Sequence, residues 1–237
     1  MKFSIITLFP EILSGYLQTS IMAKAVGAGT IGYDIINLRQ FGTGKHRTCD
    51  DTPFGGGAGM LLKPEPLATA LKSIGMVEKT GAKKRQARVI YPSPSGKSFT
   101  QAKAQELAAE EHLVFICGRY EGIDQRIIDS YVDDELSIGD YVLSSGEVAS
   151  LVMMDAVYRL VDEVISPESL EEESFSGGLL EYPQYTRPAE FNGHSVPDVL
   201  LSGNHAAISV WREQQQLEKT RKNRPDLWSR YMNEQKD

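Results

Sequence analysis

Cysteine and histidine are scarce in this chain. Two cysteines, Cys49 and Cys117, stand among 237 residues, without metal-ligand spacing and too few for a disulfide framework. The four histidines (His46, His112, His194, His205) show neither an HxxxH nor an HxxE pattern, which leaves metal hydrolysis and Ser-His catalysis little basis. No apolar run approaches the roughly 20 residues of a membrane span. The opening Met1-Lys2-Phe3-Ser4-Ile5-Ile6-Thr7-Leu8 meets Pro10 too soon for a signal peptide and reads as a first strand. A cytoplasmic protein with no membrane partner is expected. Glycine signatures for phosphate are missing as well: there is no G-x-x-x-x-G-K-S/T and no G-x-G-x-x-G.

What is present fits a folded protein, with 41% hydrophobic and 24% charged residues. The length suits one large domain, or a medium domain with an appendage. The net charge of −7 is uneven: residues 1–175 hold 17 Lys+Arg against 24 Asp+Glu, whereas residues 176–237 hold eight of each. Two basic clusters stand out, Lys79, Lys83, Lys84, Arg85 and Arg88, and then Lys219, Arg221, Lys222 and Arg224. Local patches steer anionic partners, but solvated surface explains the same clusters, and charge alone does not decide between the two.

Short β-branched runs alternate with helical periods. Phe3–Leu8, Ile31–Leu38, Val89–Tyr91, Leu113–Cys117 and Leu136–Ile138 read as strands. Helices are expected at Glu11–Val26, Pro66–Ile74, Thr100–Glu110, Gln125–Tyr131 and Ser145–Val164. The alternation implies an α/β fold with a mainly parallel sheet covered on both faces, and ligands of such sheets sit beyond the carboxyl ends of strands. After Val164 the acidic, proline-bearing stretch 166–173 reads as a linker, followed by a small helical domain with a helix around Ala206–Lys222. The expected division is 1–164, a linker 165–175, and 176–237.

The polar, glycine-bearing loops follow the strands. Ser137–Glu147 sets Gly139 and Gly146 around a short apolar run before a long helix, with Ser144 and Glu147 at capping-box spacing. Glycine lets the backbone approach a ligand closely; without a phosphate signature or a lysine, the ligand expected here is nucleoside-like and lacks a phosphate. Pro92–Gly96 and Gly118–Asp124 are two further such loops, and three suggest one site. Within the second, Arg119 and Glu121 are candidates to pair with each other. The loop 50–60 has four glycines in the five positions 55–59, between Asp50, Asp51, Pro53, Phe54 and Met60; it is either a flexible surface loop or, as the flanking acids and rigid aromatic pair favour, a lid or base-binding loop. Arg159, on the same long helix as Asp155 four residues earlier, is either a structural ion pair or a cation aimed at developing negative charge.

Together these segments resemble the bacterial tRNA (guanine-N1)-methyltransferases of the SPOUT class. The resemblance is carried by Phe9-Pro10-Glu11, Lys45 through Thr48, Asp50 through Met60, Cys117 through Asp124, Ser137 through Leu143, Asp155 through Arg159, Ser174-Phe175, Gly178 through Leu180, Tyr185 through Pro188, and Val196-Pro197 with Val199 through Gly203. It spans nearly the whole chain in order. It implies a sheet threaded into a deep trefoil knot, a topology that periodicity would not have suggested, and S-adenosylmethionine as methyl donor. Carried over by motif, the donor's pocket is Tyr91, Ser93, Pro94, Gly118, Tyr120, Glu121, Ile138, Gly139, Tyr141, Leu143 and Gly146. Asp50 and Gly59 fall on the substrate side.

The implied substrate is the guanine at position 37, next to the anticodon. Its N1 carries a proton, so a base must remove it while a cation steadies the charge on O6. The arginine the family uses matches Arg159. The family's linker aspartate is replaced here by Glu173, with Glu171 and Glu172 as neighbouring carboxylates. The resemblance further implies a homodimer with sites shared between subunits, a C-terminal domain whose Lys219, Arg221, Lys222 and Arg224 face the phosphates of the tRNA anticodon arm, and a magnesium requirement for which no ligand cluster is legible. The alternatives are a related knotted methyltransferase acting on another RNA atom, and an RNA-binding module with impaired catalysis.

Overall fold

The computed structural model describes residues 1–79, 86–166, 169, 173–175 and 177–235. Five parallel strands form the main sheet: β1 (Lys2–Thr7), β2 (Gly32–Asn37), β5 (Arg88–Ser98), β6 (His112–Ile116) and β7 (Asp134–Ser137), in the order β2-β1-β6-β5-β7. The two-residue strands β3 (Asp50–Asp51) and β4 (Leu61–Leu62) make a separate antiparallel ladder. All five main strands lie where β-branched runs predict them.

The sheet is buried on both faces, and the alternation of side chains sorts its residues into two cores. Phe3, Ile5, Leu113, Phe115 and Leu136 point to one core, shared with Leu13, Met153 and Val157. Ile6, Val89, Val114 and Ile116 point to the other, shared with Leu67, Leu71 and Ile127. Each such side chain, withdrawn from water, contributes about 2 kcal/mol, so a one-residue slip of register would misplace both sets at once.

Four features, three of them helical, differ from the sequence expectation. The single helix expected over Glu11–Val26 is two, α1 (Pro10–Leu17) and α2 (Ser20–Gly27). Between them the Thr19 hydroxyl bonds back to the carbonyls of Gly15 and Tyr16, and Ser20 takes a positive φ of 55°. α3 (Pro64–Ser73), α4 (Gln101–Ala108) and α5 (Gln125–Tyr131) fall close to expectation. The long helix, expected to reach Val164, is α6 (Gly146–Tyr158). Beyond it the chain winds into turns closed by Leu160 N–H to Val157 O and Val161 N–H to Tyr158 O, and Arg159 is its C-cap rather than an interior residue.

The capping box is the third difference. The N-cap is Ser145, extended and without a side-chain cap. Glu147 instead turns inward, 1% exposed, and its Oε1 accepts from the Thr7 hydroxyl at 2.6 Å. Fourth, Pro92–Gly96 is not a loop after a strand but a bulge within β5. Pro92 and Lys97 both face Leu136, and residues 93–96 are pushed out between them. A Cβ on Gly96 would stand 2.4 Å from the Leu136 nitrogen, so only glycine fits the return of that bulge to the sheet.

The chain divides into two compact units, Met1–Ile165 and Ser166–Asp237. In the second, a helix over His205–Asn223 is followed by another over Pro225–Glu234, with a short hairpin of Glu190–Phe191 and His194–Ser195. Thr220, fully buried, accepts the Leu180 N–H and donates to the Gln216 carbonyl. The Arg212 guanidinium lies 4.5 Å from the centre of the Tyr182 ring. Among the described residues no helix is long and apolar enough to cross a membrane.

Candidate active site

Beyond the carboxyl ends of β5, β6 and β7 the first unit has a cavity of about 330 Å³. The eleven residues assigned by motif to the cofactor all line it: Tyr91, Ser93 and Pro94 from the β5 bulge, Gly118, Tyr120 and Glu121 after β6, and Ile138, Gly139, Tyr141, Leu143 and Gly146 after β7. Three loops, distant in sequence, thus build one pocket. Its walls are main chain, aromatic rings and small side chains, and among the described residues its lining carries two ionisable groups other than tyrosines, Arg119 and Glu121.

Close backbone packing shapes the floor. The Gly146 N–H donates to the Gly118 carbonyl at 2.9 Å, and a Cβ on Gly146 would sit 2.7 Å from the Gly118 nitrogen. A Cβ on Gly118 would in turn meet the Tyr91 ring at 2.9 Å. Tyr91 is 6% exposed; burial first, then the charge of Glu135, pushes its phenol up to about 12, so it is a neutral wall at physiological pH. Gly139 takes φ 150° with the Tyr141 ring against it. Tyr141 (55% exposed) and Val142 (84%) stand at the open side.

The glycine-rich loop closes toward the same rim. Gly55, Gly56, Gly57 and Gly59 all have positive φ, the left-handed region that explains four glycines in so short a run. Phe54 at its tip is fully exposed. The loop's base is fixed by the Glu121 N–H to the Met60 carbonyl at 3.0 Å and by the Leu62 N–H to the Gly122 carbonyl at 3.0 Å. Gly59 packs on the Glu121 side chain, and the Asp50 carboxylate near Tyr120 raises that phenol above its ordinary value. Asp50 and Gly59 therefore stand beside the pocket residues Tyr120 and Glu121.

The expected Arg119–Glu121 ion pair is not formed among the described residues. Arg119 stacks on Phe9, 4.7 Å from the ring centre, and Arg39 lies 5.7 Å from the same ring. The local spacing of 119 and 121 hides this, because Phe9 reaches the site from the end of β1.

Arg159 is not gathered at this pocket. It caps the far end of α6 from Gly146, about 20 Å along the helix at 1.5 Å per residue. Asp155, four residues earlier on α6, accepts the Tyr16 hydroxyl. Glu173 belongs to the second unit, where the neighbouring Ser174 hydroxyl accepts the Glu181 N–H at 3.1 Å. Glu171 and Glu172 lie outside the described residues.

The basic clusters divide. Lys83, Lys84 and Arg85 lie outside the described residues. Arg88 is spent on structure, bonded to Asp134 at 2.5 Å and to Glu106 at 2.6 Å, and Lys79 donates to the Ile128 and Val132 carbonyls. In the second cluster Arg224 forms a two-pronged pair with Asp226, which draws that carboxyl down to about 2. Lys219, Arg221 and Lys222 follow one another along the last turns of the His205–Asn223 helix, the latter two exposed. Among the described residues no group of three or more His, Cys, Asp or Glu gathers as a metal site. Both cysteines are buried, and burial raises both thiols, against a nucleophilic role.

Fold and pocket define an α/β protein with a nucleoside-sized cavity beyond the carboxyl ends of a parallel sheet. The sequence profile of the family described as tRNA (Guanine-1)-methyltransferase TrmD matches residues 1–230. A tRNA (guanine-N(1)-)-methyltransferase of Treponema denticola is 62% identical over 227 residues, which cover 96% of this chain and 90% of that protein. One from Treponema pallidum is 58% identical over 229 residues (97% and 88%), and one from Borreliella burgdorferi 53% over 234 residues (98% and 95%). The chain belongs to the tRNA (Guanine-1)-methyltransferase TrmD family.

Proposed function

We propose that this protein transfers the methyl group of S-adenosylmethionine to N1 of guanine 37 of tRNA, beside the anticodon, and that it works in the cytoplasm. The observation that carries the reading is the convergence of eleven motif residues on one cavity in a chain of this family. The cavity suits the donor. Its main-chain floor and ring walls match an adenosine group without phosphate, and the Gly118–Gly146 contact leaves no room for side chains where the ligand lies closest. When bound, S-adenosylmethionine supplies an electrophilic methyl group.

The protein's own residues then have two tasks. Glu173 takes the N1 proton, which frees the lone pair for attack, and Arg159 holds the charge that gathers on O6. The loop 50–60, with Asp50 and Gly59, seats the guanine over the pocket so that N1 and the methyl group lie in line. Glutamate in place of the family aspartate carries its carboxylate about 1 Å further, a distance that costs about a hundredfold in rate if the linker does not adjust.

The proposal includes a homodimer with shared sites, and the placement of Arg159 at the far end of α6 supports it. Val148 (48% exposed) and Val152 (46%) form, with Asp155 and Arg159, one stripe along α6 at helical spacing. Exposed valines on a core helix favour cover by a second copy, and a second copy in antiparallel contact carries the partner's Arg159 back toward the pocket. The same reading includes the trefoil knot in the sheet, the linker 165–175, and a C-terminal helical domain from 176 that holds the anticodon arm with Lys219, Arg221 and Lys222, Arg224 contributing when it releases Asp226. Magnesium, which the family resemblance implies, finds no carboxylate cluster to hold it among the described residues.

The test is methyl incorporation from labelled donor into two unmodified transcripts, one with guanine and one with adenine at position 37. Incorporation into the first alone is expected. Equal incorporation into both points to another RNA atom, and none into either points to a binding module; each outcome overturns the reading.

A further inference from the structure

Cations in the first unit fall into two kinds. The unit is acidic, with 17 Lys+Arg against 20 Asp+Glu over residues 1–165. Arg88 and Arg126 are neutralised by carboxylates. Arg39 and Arg119 are not: among the described residues neither makes an ion pair, and both guanidinium groups rest on the ring of Phe9. Phe9 is itself fixed, because its N–H donates to the Thr7 hydroxyl at 2.8 Å, and that hydroxyl is anchored on Glu147.

A guanidinium on an aromatic face keeps its N–H edge free, and that edge matches two phosphate oxygens. The pair also sits at the right place. Arg119 lines the pocket, and both arginines lie close enough to Tyr120 of the same pocket to act on its phenol. Arg39 lies in the 3-10 turn Leu38–Phe41, which leads directly to a tight hairpin bridged between Thr43 and Thr48. That hairpin carries Lys45 and Arg47, both exposed, and Lys63 reaches its Thr43 hydroxyl. A base turned out of an RNA loop into the pocket brings its flanking phosphates to this rim.

We propose that Arg39 and Arg119, stacked on Phe9, form a phosphate clamp for the ribose-phosphate backbone flanking the base that enters the pocket. This rests on the tRNA-methylating function above and names how the first unit, acidic overall, holds its RNA. The test is tRNA affinity of the full-length protein across a series of salt concentrations, for the wild type, Arg39→Gln, Arg39→Lys and the double variant Arg39→Gln/Arg119→Gln. Arg39→Gln should weaken binding several-fold and lower the slope of log affinity against log salt by about 0.7, one single-strand phosphate contact. Arg39→Lys should keep the slope, and the double variant should lose about twice as much of it.

Arg39 lies outside the pocket lining, so binding of S-adenosylhomocysteine to Arg39→Gln should match the wild type and certifies the fold. A slope equal to that of the wild type in Arg39→Gln overturns the clamp, whatever the double variant does. Methyl transfer by the wild type is scored separately. A protein that shows the slope changes but makes no methylguanosine keeps the clamp and loses the proposed reaction, whereas one that methylates with unchanged slopes does the reverse.

Discussion

The hydroxyl of Thr7 donates to Oε1 of Glu147 at 2.6 Å, joining residues 140 apart in sequence. The bond ties the tip of β1 to the first turn of α6, the turn that begins with Gly146 on the pocket floor. A carboxylate at a helix N-terminus is favoured by the helix dipole, and here it also organises the main chain around it. Glu147→Ala leaves the buried Thr7 hydroxyl without its acceptor and should cost about 2 kcal/mol in a urea unfolding curve. Glu147→Gln keeps an acceptor and should cost less; equal losses in both would show that the bond does not matter.

Gly146→Ala should act on the ligand before it acts on the fold. The added methyl must push α6 away from the Gly118 backbone, only 2.7 Å away, and so widens the floor. Affinity for S-adenosylhomocysteine by calorimetry is expected to fall at least about tenfold, equivalent to roughly 1.4 kcal/mol, with unfolding still cooperative. Unchanged affinity would place the ligand elsewhere.

Asp134 gives a pH signature of stability. Burial opposes its ionisation, but hydrogen bonds from Arg88 and Lys103 overcome that and hold the carboxyl below its ordinary value. A carboxyl depressed in the folded state contributes stability that is present above its unfolded value, about 3.9, and is lost as pH falls through the folded value. Asp134→Asn, which also leaves the largely buried Arg88 short of a partner, should therefore cost roughly 2 kcal/mol near neutrality. The gap to the wild type should shrink below about pH 4. A gap constant from pH 7 to pH 3 would contradict the assignment.

Glu173→Gln and Arg159→Ala should each lower kcat by at least about a hundredfold and leave donor affinity in place. If the sites are shared between subunits, mixing Glu173→Gln with Gly146→Ala should restore part of the activity, since one site of each mixed dimer then has an intact pocket and an intact base. Mixtures no more active than their components would place both parts in one subunit.

The sheet was legible because a parallel strand buried on both faces writes itself as a continuous apolar run, as Leu113–Cys117 does for β6 and Phe3–Leu8 for β1. The pocket was legible because glycine and polar residues follow those runs at the strand ends. What sequence could not show is non-local. The S-x-x-E spacing of Ser144 and Glu147 is a local signal, overridden by a partner 140 residues away. Helical periodicity runs unbroken through Thr19 and Ser20, although a back-bonding hydroxyl divides α1 from α2. Arg119 and Glu121, two apart, suggest a pair, yet Phe9 captures the arginine from another loop. Arg159 was recognisable as a type of residue, while its distance from the pocket depends on the length of α6.

The central claim is methyl transfer to guanine N1 beside the anticodon, and mass mapping of the modified nucleoside tests it most directly. After incubation with S-adenosylmethionine and unmodified tRNA, digestion should yield 1-methylguanosine, located at position 37 by fragment mass. A ribose-methylated nucleoside, or a methyl group on any other base or position, would contradict it.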